Sequence, residues 1–151
     1  MEHAAIQVAR LSGFSPIITT ASLHNTELLK SLGATHVLDR NLSASVLKAE
    51  VRSITDAPVK VIYDAISLAN TQSVAYDILA PGGQLILVLP SAVEASQIVP
   101  DKEAKTTWGS AWPPYSRKVG ASLWSALTRL LEEGAIKVRR FPKGFYCAIL
   151  M

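Results

Sequence analysis

Two runs, Val59-Lys-Val-Ile-Tyr-Asp-Ala65 and Pro81-Gly-Gly-Gln-Leu-Ile-Leu-Val-Leu-Pro90, decide the fold class. Val59 to Tyr63 and Leu85 to Leu89 are apolar and rich in β-branched residues or leucine, without strict alternation. Such runs suit strands buried on both faces of a parallel sheet. Between them Val74, Ile78 and Leu79 recur at helical spacing, with Ser67 or Asn70 available as a cap. Pro81-Gly82-Gly83 stops that helix and turns the chain. The unit reads as strand, helix, strand, with ligands expected at the carboxyl ends of the strands, near Asp64-Ala65-Ile66-Ser67 and Leu89-Pro90.

Working outward, the same alternation extends toward the N-terminus. Residues 4 to 12 favour a helix that Gly13 ends. Phe14 to Thr20 reads as a strand. Ser22 or Asn25 caps a helix carrying Leu28, Leu29 and Leu32, stopped by Gly33. His36 to Leu38 is a further strand, and Ser43 caps a helix with Leu47, Val51 and Ile54 on one face. Toward the C-terminus the pattern breaks, and residues 91 to 117 show no clear period. Regularity returns at Val119, Leu123, Leu127, Leu130 and Leu131, a helical stripe stopped by Gly134. Ala135 to Phe141 is a candidate final strand. Residues 142–151 form a tail, Pro142 to Met151, with no assigned element.

The 151 residues are enough for one domain with a real core, and 49% hydrophobic against 18% charged residues marks a globular chain. The net charge of +3 is mild. It comes partly from Lys137, Arg139, Arg140 and Lys143, a cluster that reads as a solvated surface before it reads as a nucleic-acid site. One cysteine, Cys147, excludes an internal disulfide framework and a Cys-rich structural zinc site. A reduced, cytoplasmic setting is expected. No signal peptide and no apolar run of about 20 residues is visible, so no membrane partner is expected.

The predicted class is therefore α/β: a Rossmann-like, doubly wound parallel sheet over residues 1–141. It is unusual in beginning on a helix. The dinucleotide-binding fold opens with a strand and a glycine-rich turn leading into a helix whose N-terminus holds a pyrophosphate. Here the first glycine is Gly13, after the helix, and no G-x-G-x-x-G occurs.

From residue 4 to about 141 the chain resembles the cofactor-binding half of medium-chain dehydrogenases/reductases. The resemblance is to the zinc-free enoyl reductases and quinone-reductase-like proteins, notably the trans-acting enoyl reductases of fungal polyketide synthesis. It rests on Ala5 to Phe14, Ile17 to Ser22 with His24-Asn25, and Leu28 to Ala34. It continues through His36 to Asp39, Tyr63-Asp64, Pro81-Gly-Gly83 and Trp112-Pro-Pro-Tyr115. The resemblance implies an oxidoreductase that uses NADP: hydride passes from NADPH to an enoyl thioester or enone. It also implies departures. The substrate-binding domain, first strand and phosphate loop are absent, an insertion after Trp108 is missing, and the tail after Phe141 is unrelated. The chain thus looks like a truncated cofactor-binding portion, inactive alone. The missing strand is a central one. Its neighbours are expected to close up, to be bridged by another chain, or to be held loosely. Self-association through sheet edges and the Ala148-Ile-Leu-Met151 tail is expected.

The same resemblance places Ser22, Leu23, His24 and Asn25 around the 2′-phosphate of NADP, with no acidic residue there to select NAD. Plain helix capping accounts for Ser22 and Asn25 equally well. Arg40 occupies a position near the adenosine phosphate and suits bidentate pairing, or is a surface arginine. Leu89 and Pro90 match positions near the nicotinamide, or are core. No catalytic residue and no metal ligand is assigned. Asp64, His3, His24 and His36 read as structural or solvent-facing. The alternatives are a non-catalytic interaction protein using exposed sheet edges and an RNA-binding quinone-reductase-like fragment working through Arg139 and Arg140.

Overall fold

A computed structural model describes residues 2–107, 114–138 and 148–151. The chain divides into two compact units, Met1–Thr107 with Phe141–Met151, and Trp108–Arg140. In chain order the first unit holds α1 (Glu2–Leu11), β1 (Ile18–Ala21), a 3-10 turn (Leu23–Asn25), α2 (Thr26–Leu32), β2 (His36–Asp39) and α3 (Ala44–Ile54). It continues with β3 (Val61–Asp64), α4 (Ala69–Ile78), β4 (Gln84–Leu87), β5 (Glu103–Thr106) and, at the C-terminus, β6 (Ala148–Leu150). The second unit holds α5 (Pro114–Glu132), closed by Gly134 at φ +66°.

The six strands form one sheet in the order β2-β1-β6-β3-β4-β5. The pairs β1–β2, β3–β4 and β4–β5 are parallel, and β6 is antiparallel to both β1 and β3. With β6 in first place, this is the strand order of the dinucleotide fold, 3-2-1-4-5-6. The chain's own C-terminus therefore fills the central gap. None of the three expected fates of that gap is observed, and the tail is no exposed run: Ile149 and Leu150 are 0% and 3% exposed.

Local chemistry explains the insertion. The side chains of β6 alternate, Leu150 joining the core under α3 and α4, and Ile149 the core under α1 and α2. Thr19 and Thr20 are buried hydroxyls in a fully covered strand, and such groups need partners. Ala148 supplies them: Thr19 Oγ1 donates to its carbonyl at 3.1 Å, and its N–H donates to Thr20 Oγ1 at 3.2 Å. Past the strand, Met151 exchanges backbone bonds with Val61 at 2.8 and 3.0 Å. A strand of three residues, with Met151 beyond it, thus pairs with both neighbours.

The two faces are covered as a doubly wound sheet requires. α1 and α2 lie on one side, and Gly33 allows their close approach, since a Cβ there would sit 2.8 Å from Arg10 Cδ. α3 and α4 lie on the other. Ser43 caps α3 as expected, accepting from the Val46 N–H.

Three expectations are corrected. Neither Ser67 nor Asn70 caps α4. The N-cap is Leu68, whose N–H is taken by Thr71 Oγ1 at 3.1 Å, and Ser67 instead turns the chain at φ +54°. The aperiodic 91–117 stretch contains an edge strand, β5, too short and too charged at Glu103 and Lys105 to carry an apolar signature. Of the candidate strand 135–141, residues 135–138 carry none, and the remainder lies outside the described residues. Trp108 and Trp112, quoted in the resemblance, also lie outside, as do Arg139, Arg140 and Lys143.

Candidate functional site

The parallel strands all point their carboxyl ends to one edge of the sheet, and the loops leaving them carry the candidate residues. After β1 come Ser22, Leu23, His24 and Asn25. Ser22 and Asn25 stand at the N-caps of the 3-10 turn and of α2, yet neither makes a side-chain capping bond. The Asn25 amide lies 3.1 Å from His24 Nε2 instead, and Thr26 Oγ1 bonds the Leu23 carbonyl. Capping therefore does not explain these side chains. Leu23 is exposed, and its aliphatic chain faces solvent at this edge.

Arg40 follows β2. Its N–H donates to the Ala21 carbonyl at 3.0 Å, which ties the end of β2 to the end of β1, one residue before Ser22. Arg40 also lines a cavity of about 240 Å³. The cavity is floored by Thr20, Ile62, Ala148 and Leu150 of the sheet and walled by residues of α3 and α4, including Leu47, Val74 and Ile78. Its polar groups are few: Arg40, Thr20, Asn70 and Thr71. An apolar pocket with a few polar groups is the usual form of a small-molecule site.

The structure thus joins Arg40 to the cavity and sets Ser22 to Asn25 on the adjoining loop. Leu89 and Pro90 do not line the cavity. They follow β4 as exposed residues, Leu89 at 45%, so they are not core.

Sequence reasoning missed Thr20, Thr71 and Gln72, and weighed Asn70 only as a cap. The available signal was the polar run Asn70-Thr71-Gln72 opening a helix directly after a strand that ends in Asp64. Asp64 is fully buried, and its carboxylate accepts from the N–H groups of Ile66 and Ser67, each at 2.9 Å, and from Thr71 Oγ1 at 2.7 Å. It builds the loop and has no exposed face for acid–base work.

His24 and His36 are exposed. His3 is buried. Burial first, and then the positive charge of the α-amino group, pull its imidazole from the ordinary 6.5 down to about 4. Among the described residues no three His, Cys, Asp or Glu side chains are grouped to hold a metal, and no helix is long and apolar enough to cross a membrane.

The sequence profile of the zinc-binding dehydrogenases matches residues 3–104. The chain is 30% identical over 156 residues to a trans-enoyl reductase of Macrophomina phaseolina, covering 92% of this chain and 42% of the relative. It is 31% identical over 151 residues to the enoyl reductase component of lovastatin nonaketide synthase from Aspergillus terreus, covering 87% and 39%. A mycobacterial protein solved in complex with NADPH superposes with a TM-score of 0.71 at 24% identity, over 91% of this chain and 43% of that one. The chain spans about two-fifths of the length of these relatives. The name of the matched family implies zinc; the described residues offer no ligand set for it, and no metal-dependent step is assigned to them.

Proposed function

As the chain belongs to the zinc-binding dehydrogenase family, within the medium-chain dehydrogenases/reductases, we propose that it is the cofactor-binding portion of an NADPH-dependent enoyl reductase. It keeps the adenosine 2′-phosphate side of the site. The observation that carries this reading is the cavity at the carboxyl edge. There Arg40 and Asn70 provide donors around aliphatic walls, beside a Ser22–Asn25 loop whose side chains are not spent on capping. This donor set fits a phosphorylated adenosine: a guanidinium and neutral hydrogen-bond donors for the phosphate, apolar walls for the purine.

When bound, NADPH supplies a hydride for the activated carbon–carbon double bond of an enoyl thioester or enone. The residues of this chain bind and orient; none is assigned a proton-transfer role. Arg40 and the Ser22–Asn25 loop hold the phosphate, and Leu89 and Pro90 lie toward the reacting end. The setting proposed is cytoplasmic. The chain alone is expected not to turn over, because the relatives are more than twice its length and β6 stands in the central position of the sheet.

Calorimetry with 2′,5′-ADP and 5′-AMP tests the reading. Preference for 2′,5′-ADP is expected; equal affinity, or preference for 5′-AMP, overturns it. NADPH absorbance with a crotonyl thioester tests the second part, and turnover above background by the pure chain would refute it.

β6 pairs with the inner edges of β1 and β3, so an interaction-protein alternative would have to use the outer edges at β2 and β5.

A further inference from the structure

We infer that Gln72 is a positioning residue, holding Leu89 and Pro90 as a fixed apolar shelf for the flat ring at the far end of the dinucleotide. This rests on the cofactor reading above. Gln72 lies in α4, next to the cavity residues Asn70 and Thr71, and is fully buried. A buried carboxamide is costly unless its donors and acceptor are met. Here they are met entirely by two loops of the carboxyl edge. Nε2 donates to the Ser67 carbonyl at 2.8 Å and to the Pro90 carbonyl at 3.0 Å, and Oε1 accepts from the Ala92 N–H at 2.7 Å.

The Ser67 hydroxyl doubles the link, donating to the Asp64 carbonyl at 2.7 Å and accepting from the Val88 N–H at 2.9 Å. A serine at φ +54° persists only where its surroundings over-determine it. On the far side, Thr106 Oγ1 of β5 donates to the Leu89 carbonyl at 3.1 Å.

Both carbonyls of the Leu89–Pro90 pair are therefore consumed inside the protein, and proline has no N–H to offer. What the pair presents outward is the Leu89 side chain and the Pro90 ring, both exposed. Such a surface recognises a ligand chiefly by apolar packing against a planar face. Gln72 does not touch that ligand; it sets the height and rigidity of the surface beneath it.

The test uses the full chain, wild type and Gln72→Leu, with two ligands. NADPH carries the ring and 2′,5′-ADP lacks it. NADPH affinity should fall on the order of threefold to tenfold in Gln72→Leu, while 2′,5′-ADP affinity holds within about twofold. Without ligand, hydrogen exchange at the amides of Val88 and Ala92 should accelerate, with α1 and α2 unchanged. Thr106→Val, which cuts the second tie from the other side, should show the same selective loss at smaller size, and it serves if Gln72→Leu does not fold. Equal weakening of both ligands, or unchanged exchange at Val88 and Ala92, overturns the inference. If wild type binds 2′,5′-ADP but gains nothing from the ring of NADPH, the shelf falls and the cofactor reading stands. If wild type binds neither ligand, both fall.

Discussion

β3 and β6 lie side by side in one sheet and share a register, Ile62 opposite Leu150 and Asp64 opposite Ala148. β3 sits in a Val-Ile-Tyr run bounded by a helix and a turn, and it is visible in the sequence. β6 is three residues, Ala-Ile-Leu, after a 40-residue excursion from Thr107, and it is not. Yet Ile62 and Ile149 are both completely buried. The difference teaches that a central strand need not announce itself. Flanked by two backbone edges and two buried threonine hydroxyls that need partners, a short apolar segment holds the central position.

The comparison breaks most readily in the core. Ile62→Ala and Ile149→Ala should each cost about 2–4 kcal/mol, the usual loss for truncating a buried aliphatic side chain, read as a shift of the urea midpoint. If Ile149→Ala costs under about 0.5 kcal/mol while Ile62→Ala shows the full loss, β6 is not an equal member of the sheet.

The next effect concerns α1, which packs against β6. His3 titrates near 4 in the folded chain against 6.5 ordinarily, so the unfolded chain takes up its proton first as pH falls. The His3 contribution is therefore undiminished above pH 6.5 and drains away between 6.5 and about 4, a loss of up to about 3 kcal/mol. Denaturation midpoints from pH 7 to 4 should show this slope, and His3→Leu should flatten it. An unchanged slope in the variant would assign the pH dependence to other groups.

At the carboxyl edge the expected change is in binding. Arg40→Ala should weaken 2′,5′-ADP by about 1.5–3 kcal/mol, the value of a hydrogen bond to a charged group, and leave 5′-AMP nearly unchanged. No change with 2′,5′-ADP removes Arg40 from the site. The smallest effect is at α3. Ser43→Ala should destabilise by about 0.5–1 kcal/mol, at the low end for a cap because its bond to the Val46 N–H is long, 3.5 Å. A thermal melt unchanged by that substitution would show that the cap contributes nothing.

The alternation of strands and helices through residue 90 was legible because each element carries its own period, cap and stop. Val59 to Pro90 shows a buried run, a helical stripe and a Pro-Gly-Gly turn in order. The absence of an acid after β1, and the polar residues Ser22, His24 and Asn25, were equally legible; of the proposed site residues, Arg40 is the one that lines the cavity. What the sequence could not show is what depends on distant residues meeting. β6 becomes a strand only because β1 and β3 stand one strand apart, and Thr19 and Thr20 reach Ala148 across 129 and 128 positions of chain. Gln72 looks like any polar helix residue until folding brings Ser67, Pro90 and Ala92 around it. Local periodicity determined the elements. Long-range hydrogen-bond satisfaction, which no local pattern encodes, decided which segment took the centre of the sheet and which side chain joins its loops.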